Sequence, residues 1–106
     1  RGLIDWKELQ LMKSSAFLIN VSRGAVINEQ ALYKALKDRE IKAAAADVTS
    51  DEPLSKRSPL WDLNNFILTP HSGGETQCYE QNVIDVMLEN LSRLQRGETN
   101  LLNQIV

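Results

Sequence analysis

Three short apolar runs constrain this chain more than any other feature: Ala16-Phe17-Leu18-Ile19-Asn20-Val21, the stretch from Ile41 to Val48, and Asn65-Phe66-Ile67-Leu68-Thr69. Each is too short for an ordinary helix, and the first and third carry the branched and aromatic residues that suit a buried strand. The middle run is the contested one. Its Ala43-Ala44-Ala45-Ala46 reads as helix by intrinsic propensity, since alanine loses no side-chain entropy there. Its surroundings decide against that. A helical stripe of Ala31, Leu32, Ala35 and Leu36 ends near Arg39, which leaves almost no linker before a second helix. A strand of small residues instead lets helices pack closely on both faces of a parallel sheet, so residues 41 to 48 are read as strand.

The segments between the runs carry helix punctuation. Asp5-Trp6-Lys7-Glu8 is a variant of the capping box and predicts a short helix over residues 6 to 13, with Leu9 and Met12 on its apolar stripe. Gly24 breaks the first run. Asn28 then caps the helix that keeps Lys34, Lys37 and Asp38 outside. Asp51-Glu52-Pro53 and Lys56-Arg57-Ser58-Pro59 mark a loop. After Gly73-Gly74, apolar residues at Val83, Met87, Leu91 and Leu94, flanked by Ile84 and Leu88, define the longest helix, with Gly97 as its stop. Helix, strand, helix, strand, loop, strand and long helix is the alternation of a parallel α/β sheet with right-handed crossovers.

Composition narrows the function. With 12 basic and 14 acidic residues the net charge is -2, so the field needed for sequence-independent nucleic-acid binding is missing and no nucleic-acid partner is expected. No apolar run approaches the roughly 18 residues that cross a bilayer, and no basic stretch precedes a short apolar core at the N-terminus. A soluble, cytoplasmic protein without a membrane partner is the expectation. The lone Cys78 has no disulfide partner, and with His71 as the one other soft ligand no metal site is expected; Cys78 is read as structural or incidental. The first residues, Arg1-Gly2-Leu3-Ile4, show neither an initiator methionine nor the polar character common at termini, which suggests a piece of something longer.

Each predicted strand runs into a titratable residue: the first into Arg23, the second into Asp47, the third into His71. Parallel strands bring these ends to one edge, where open α/β sheets bind ligands, and Glu52 lies in the loop leaving that edge. A guanidinium, two carboxylates and an imidazole are thus expected to converge on one crevice. Singly, each has an ordinary alternative: a surface arginine beside a turn, carboxylates capping a loop, a locally bonded histidine.

Leu18-Ile19-Asn20-Val21-Ser22-Arg23-Gly24, Ala46-Asp47-Val48 with Glu52-Pro53, and Leu68-Thr69-Pro70-His71 closely resemble, in order and spacing, the signature segments of the D-isomer-specific 2-hydroxyacid dehydrogenases. The helix from Gln30 to Leu36 and the small pair Ser72-Gly73 extend the resemblance over nearly the whole chain. It implies a partial Rossmann-type parallel sheet of about three strands with flanking helices and a long C-terminal helix. Residues 1–72 would form the C-terminal half of a nicotinamide dinucleotide-binding domain, and residues 73–106 a helix and tail leading back toward a substrate domain.

The resemblance also implies roles. His71 would pass the proton that accompanies hydride transfer between a 2-oxo acid and a D-2-hydroxy acid, a task suited to a side chain that titrates near neutrality. Glu52 would orient it and favour its protonated form. Arg23 would hold the substrate carboxylate with its planar fork of donors. Ser22, Arg23, Asp47, His71 and Gly73 would line the cofactor, NAD or NADP, with Asp47 near the nicotinamide carboxamide. The substrate would be a small 2-oxo or 2-hydroxy acid and the full-length protein a homodimer. Thr49, where the family usually carries an aromatic residue, and Asn28, where aspartate is frequent, depart from the pattern and leave the pocket shape open, and glyoxylate, hydroxypyruvate, pyruvate and 3-phosphohydroxypyruvate differ in groups that the substrate domain would contact.

Two alternatives stay open: a phosphite-type dehydrogenase, the formate branch being disfavoured because it pairs its histidine with glutamine, and a non-enzymatic corepressor-like relative that senses the dinucleotide. No G-x-G-x-x-G turn occurs in these residues, so nothing here holds the cofactor pyrophosphate. The isolated chain is accordingly expected to be inactive and prone to associate through an exposed sheet edge.

Overall fold

The structure, a computed structural model, describes residues 2–105. They fall into two compact units, one up to Gly74 and one from Glu75 onward.

The first unit contains a parallel three-stranded sheet in the order β1 (Phe17–Asn20), β2 (Ala43–Ala46), β3 (Phe66–Leu68). Ala46 pairs with Asn20 on one side and Leu68 on the other, so the three carboxyl ends lie level at one edge. The alanine run is strand. Ala44 joins Ala31 and Ala35 of α2 (Glu29–Lys37) in the core, and small residues on both sides of that contact let helix and sheet approach closely. Leu9, Ile27, Leu32, Leu36 and Ile41 complete that core.

Among the described residues of the unit only one face of this sheet is packed, contrary to the expectation of helices on both faces and of fully buried strands. Strand side chains alternate. Those of Leu18, Ala44 and Phe66 meet the core to which α1 and α2 both contribute, while Phe17, Ile19 and Ile67 point the other way and stay exposed.

Capping follows the sequence. In α1 (Trp6–Gln10) the Asp5 and Glu8 side chains form a reciprocal capping box. This helix stops short of the expected residue 13, because the chain tightens into i→i+3 bonds from Leu11 N–H to Glu8 (3.2 Å) and from Met12 N–H to Leu9 (3.1 Å). Asn28 accepts from the N–H groups of Gln30 and Ala31 and also donates to Asp5 Oδ1 at 3.0 Å, tying the starts of α1 and α2 together. An aspartate at this position lacks that donor. α2 ends in a Schellman arrangement, with Glu40 N–H on the Ala35 carbonyl and Arg39 N–H on that of Leu36; Arg39 holds the left-handed position (φ 58°) usually given to glycine. The loop between β2 and β3 contains a 3-10 turn over Pro59–Asp62 that the sequence left as irregular.

The second unit is α3 (Tyr79–Gln95) and its tail. Gly97 (φ 75°) closes the helix as anticipated. Asn90 brackets the backbone of Leu102 with two bonds of 2.7 and 3.1 Å, and Arg93 donates to the Asn100 carbonyl. Cys78 is the N-cap of α3: its carbonyl accepts the Asn82 N–H (2.9 Å), while its exposed side chain makes no capping bond. Among the described residues no helix is long and apolar enough to cross a membrane.

Candidate active site

The carboxyl edge of the sheet is built by three chain exits. Asn20, buried at the end of β1, forms the first: its Oδ1 accepts from Ser22 N–H (3.1 Å) and Ser22 Oγ (2.8 Å), and its Nδ2 donates to the Arg23 carbonyl (3.0 Å). This fixes the backbone that carries Arg23. Asn20 is not among the site residues expected from sequence, although asparagine two residues before a turn amide is a recurrent Asx-turn signal.

Gly24 follows, and its role is spatial: a Cβ there would sit 1.9 Å from the carbonyl carbon of Thr49. That contact presses the exit of β1 against the exit of β2. From the β2 side, Thr49 N–H donates to Glu52 Oε1 at 3.0 Å, and Ser50 N–H donates to Glu29 Oε1 at 2.7 Å. The loop carrying Glu52 is therefore anchored from α2 and from its own backbone.

Glu52 Oε2 lies 2.7 Å from Nδ1 of His71. The His71 hydrogen bond, reinforced by the Thr49 N–H, holds the Glu52 carboxyl below the ordinary range, so the carboxylate accepts and Nδ1 is the donor. Nε2 is left free of this pairing.

The third exit bends around Asp47, which is buried at the end of β2. Its Oδ1 accepts from the Thr69 hydroxyl and from Ser72 N–H (3.1 Å), and its Oδ2 accepts from Gly73 N–H (2.8 Å). The Thr69 hydroxyl first and the Gly73 N–H next hold the Asp47 carboxyl below its usual range. His71 sits between these tethers in the left-handed region, at φ 57°.

Asp47, Glu52 and His71 line a cavity of about 340 Å³ together with Thr69, Pro70 and an apolar wall that includes Leu54 and Trp61. Trp61 was not anticipated; its indole donates to the Ser55 carbonyl, which fixes the ring. The expected convergence is thus met by the imidazole and two carboxylates. Arg23 departs from it. Its exposed side chain turns back to the carbonyl of Ser22 (2.7 Å) and is not among the residues lining the cavity, since a long side chain beside a tightly held turn takes the nearest acceptor. Ser22 spends its hydroxyl on Asn20, and Gly73 its N–H on Asp47.

An exposed imidazole paired with a carboxylate, on the carboxyl edge of a parallel sheet, marks a Rossmann-type α/β unit with titratable groups where such folds bind ligands. Residues 1–73 match the NAD-binding domain of the D-isomer specific 2-hydroxyacid dehydrogenases, and the chain belongs to that family. It is 40% identical over 106 residues to a glyoxylate reductase of Korarchaeum cryptofilum, covering 98% of this chain and 32% of that protein. It is 41% identical over 98 residues to a D-3-phosphoglycerate dehydrogenase of Methanocaldococcus jannaschii, covering 92% of this chain and 18% of the relative. The crystal structure of a D-isomer specific 2-hydroxyacid dehydrogenase from Xanthobacter autotrophicus Py2, in complex with NADPH and MES, superposes with a TM-score of 0.88 at 37% identity, covering all of this chain and 43% of that one. The chain therefore spans a third or less of the length of these two curated relatives.

Proposed function

We propose that this chain supplies the proton-transfer part of a nicotinamide-dependent oxidoreductase that interconverts small D-2-hydroxy acids and 2-oxo acids. The observation that carries the reading is the 2.7 Å pairing of His71 Nδ1 with Glu52 at the carboxyl edge of the sheet. Family membership and the names of the relatives set the substrate class.

When bound, the nicotinamide supplies or accepts the hydride. Asp47 fits a contact with its carboxamide: Oδ1 already accepts two hydrogen bonds, but Oδ2 accepts one and keeps a lone pair for an amide N–H. Ser22, Arg23, His71 and Gly73 sit on the same edge and complete this part of the cofactor wall.

Protonated His71, its Nδ1–H held by Glu52, donates the Nε2 proton to the alkoxide oxygen that forms at the carbonyl; in the reverse direction neutral Nε2 takes the hydroxyl proton. Arg23, whose present contact is a single bond to a neighbouring carbonyl, swings to clamp the substrate carboxylate with its planar fork. Residues 1–72 are read as the C-terminal half of the dinucleotide domain and residues 73–106 as the return toward a substrate domain. The full-length protein is read as a cytoplasmic homodimer, which sedimentation and cell fractionation would check.

The test is oxidation of NADH and NADPH by the full-length protein against a panel of small 2-oxo acids. Wild-type activity is expected, with His71→Ala slowing reduction by about 100-fold or more while cofactor affinity stays nearly unchanged. A variant that retains more than about a tenth of the rate would refute the assignment to His71. Reduction of no 2-oxo acid, with phosphite oxidation or effector-dependent assembly instead, would refute the substrate class.

A further inference from the structure

One carboxylate gathers donors from both sides of His71. Thr69 reaches Asp47 from two positions before it, and the N–H groups of Ser72 and Gly73 reach the same group from one and two positions after it. The turn from 69 to 73 is thereby closed on a buried carboxylate at the end of β2, with His71 at its apex in the left-handed region that few non-glycine residues occupy. Of the three donors, only the Thr69 hydroxyl belongs to a side chain, so it alone can be deleted without altering the backbone.

We propose that Thr69 is a positioning residue for His71: its hydroxyl, seated on the Asp47 carboxylate, latches the 69–73 turn and so sets the imidazole against Glu52. This rests on the reading of His71 as the proton donor. Thr69 itself touches neither reacting atom nor proton. Deleting the latch frees the N-terminal side of the turn while Ser72 and Gly73 still hold Asp47, so the imidazole drifts but the carboxylate stays in place. Gly73 tests the opposite side of the latch, because a Cβ there would lie 2.9 Å from Asp47 Oδ2 and push the carboxylate away.

The experiment uses the full-length protein with Thr69→Val, Thr69→Ser and Gly73→Ala. Thr69→Val is expected to lower kcat for 2-oxo acid reduction about tenfold, since small misplacements of a reacting group carry costs of this order, with the KM for the nicotinamide cofactor within about twofold of wild type. Hydrogen exchange of the peptide over residues 66–78, read by mass spectrometry without substrate or cofactor, should quicken. Thr69→Ser should restore both values, and Gly73→Ala should quicken exchange in the same peptide. Unchanged exchange in both Thr69→Val and Gly73→Ala would overturn the latch whatever the activity. So would a Thr69→Val loss that appears only in cofactor KM. Faster exchange in a protein that reduces no 2-oxo acid would leave the latch standing and remove the proposed reaction instead.

Discussion

Replacing Gly24 by alanine tests how the two halves of the site are held together. The backbone of Gly24 lies outside the left-handed region, so alanine fits its conformation; what it lacks is space. Its Cβ would meet the Thr49 carbonyl carbon at 1.9 Å, the Thr49 oxygen at 2.0 Å and the Ser50 nitrogen at 2.4 Å. All three are backbone atoms, so no rotamer change relieves the clash and the two chain exits must part by about 1.5 Å to reach ordinary contact. Overpacking of this kind costs about 2 kcal/mol, which lowers the melting temperature of a domain of roughly 150–250 residues by about 4–8 °C. Function should suffer more than stability. Thr49 N–H holds Glu52, and Glu52 holds His71, so the displacement passes directly to the proposed proton-transfer pair. A shift of about 1 Å at a catalytic group can cost about 100-fold in rate. Thermal unfolding and kcat/KM of Gly24→Ala should be measured in the full-length protein beside Gly74→Ala, where an added Cβ meets nothing within 4 Å and neither quantity should move. A Gly24→Ala protein that melts and turns over like wild type would refute the close-approach argument.

Three further predictions follow from local geometry. Asp47 and Glu52 have carboxyls held below the ordinary range, by the Thr69 hydroxyl and the His71 ring respectively, so each hydrogen-bonded carboxylate stabilises the fold fully above the usual carboxylate pKa of about 4 and loses that contribution as pH falls from there through its depressed folded-state value. Acid unfolding followed by tryptophan fluorescence should therefore begin at higher pH in Thr69→Val, whose Asp47 is less depressed, than in wild type; coincident acid transitions would count against the assignment. Arg39→Gly removes a non-glycine residue from the left-handed cap of α2 and should raise stability by about 0.5 kcal/mol in urea titrations, the gain being reduced by glycine's greater freedom in the unfolded chain and by loss of the exposed bond to Asn64. A loss of stability would show that the Asn64 contact outweighs the strain. Residues 1–106 expressed alone should bind NADH too weakly to detect at micromolar concentration by fluorescence titration, because the phosphate-binding turn is not among them; a micromolar Kd would contradict this.

Much of the architecture is legible in sequence because it depends on neighbours close along the chain. Asp5 with Glu8, Asn28 two residues before Gln30, and Gly97 after α3 act within one turn, and each does in the structure what its residue type implies. The alanine run is a case where context within the sequence overrides propensity, since a helix ending at Lys37 leaves too little chain for another. Apolar periodicity extends beyond the helix itself: Met12 lies on the stripe, yet α1 ends at Gln10.

The site is legible only as far as its edge. Strand order and parallel direction place Arg23, Asp47 and His71 at the same end of the sheet, and the sequence alone supports that much. Which groups touch depends on register. His71 meets Glu52 across 19 residues and Thr69 meets Asp47 across 22, and these contacts exist because Ala46 is paired with Leu68 rather than with a residue further along β3. A shift of one residue would turn alternate side chains to the other face. The same closure makes Gly24 a spacer rather than a strand breaker, makes Asp47 the tether of the His71 turn, brings Trp61 to the cavity and leaves Arg23 outside it. The order of strands and longer helices, most of their caps and the shared strand edge are thus legible along the chain, while the short helical turns and the Arg39 cap are not. The partners at that edge come from closure of the fold, because hydrogen bonds between distant residues act over a few ångströms, a precision that spacing along the chain cannot supply.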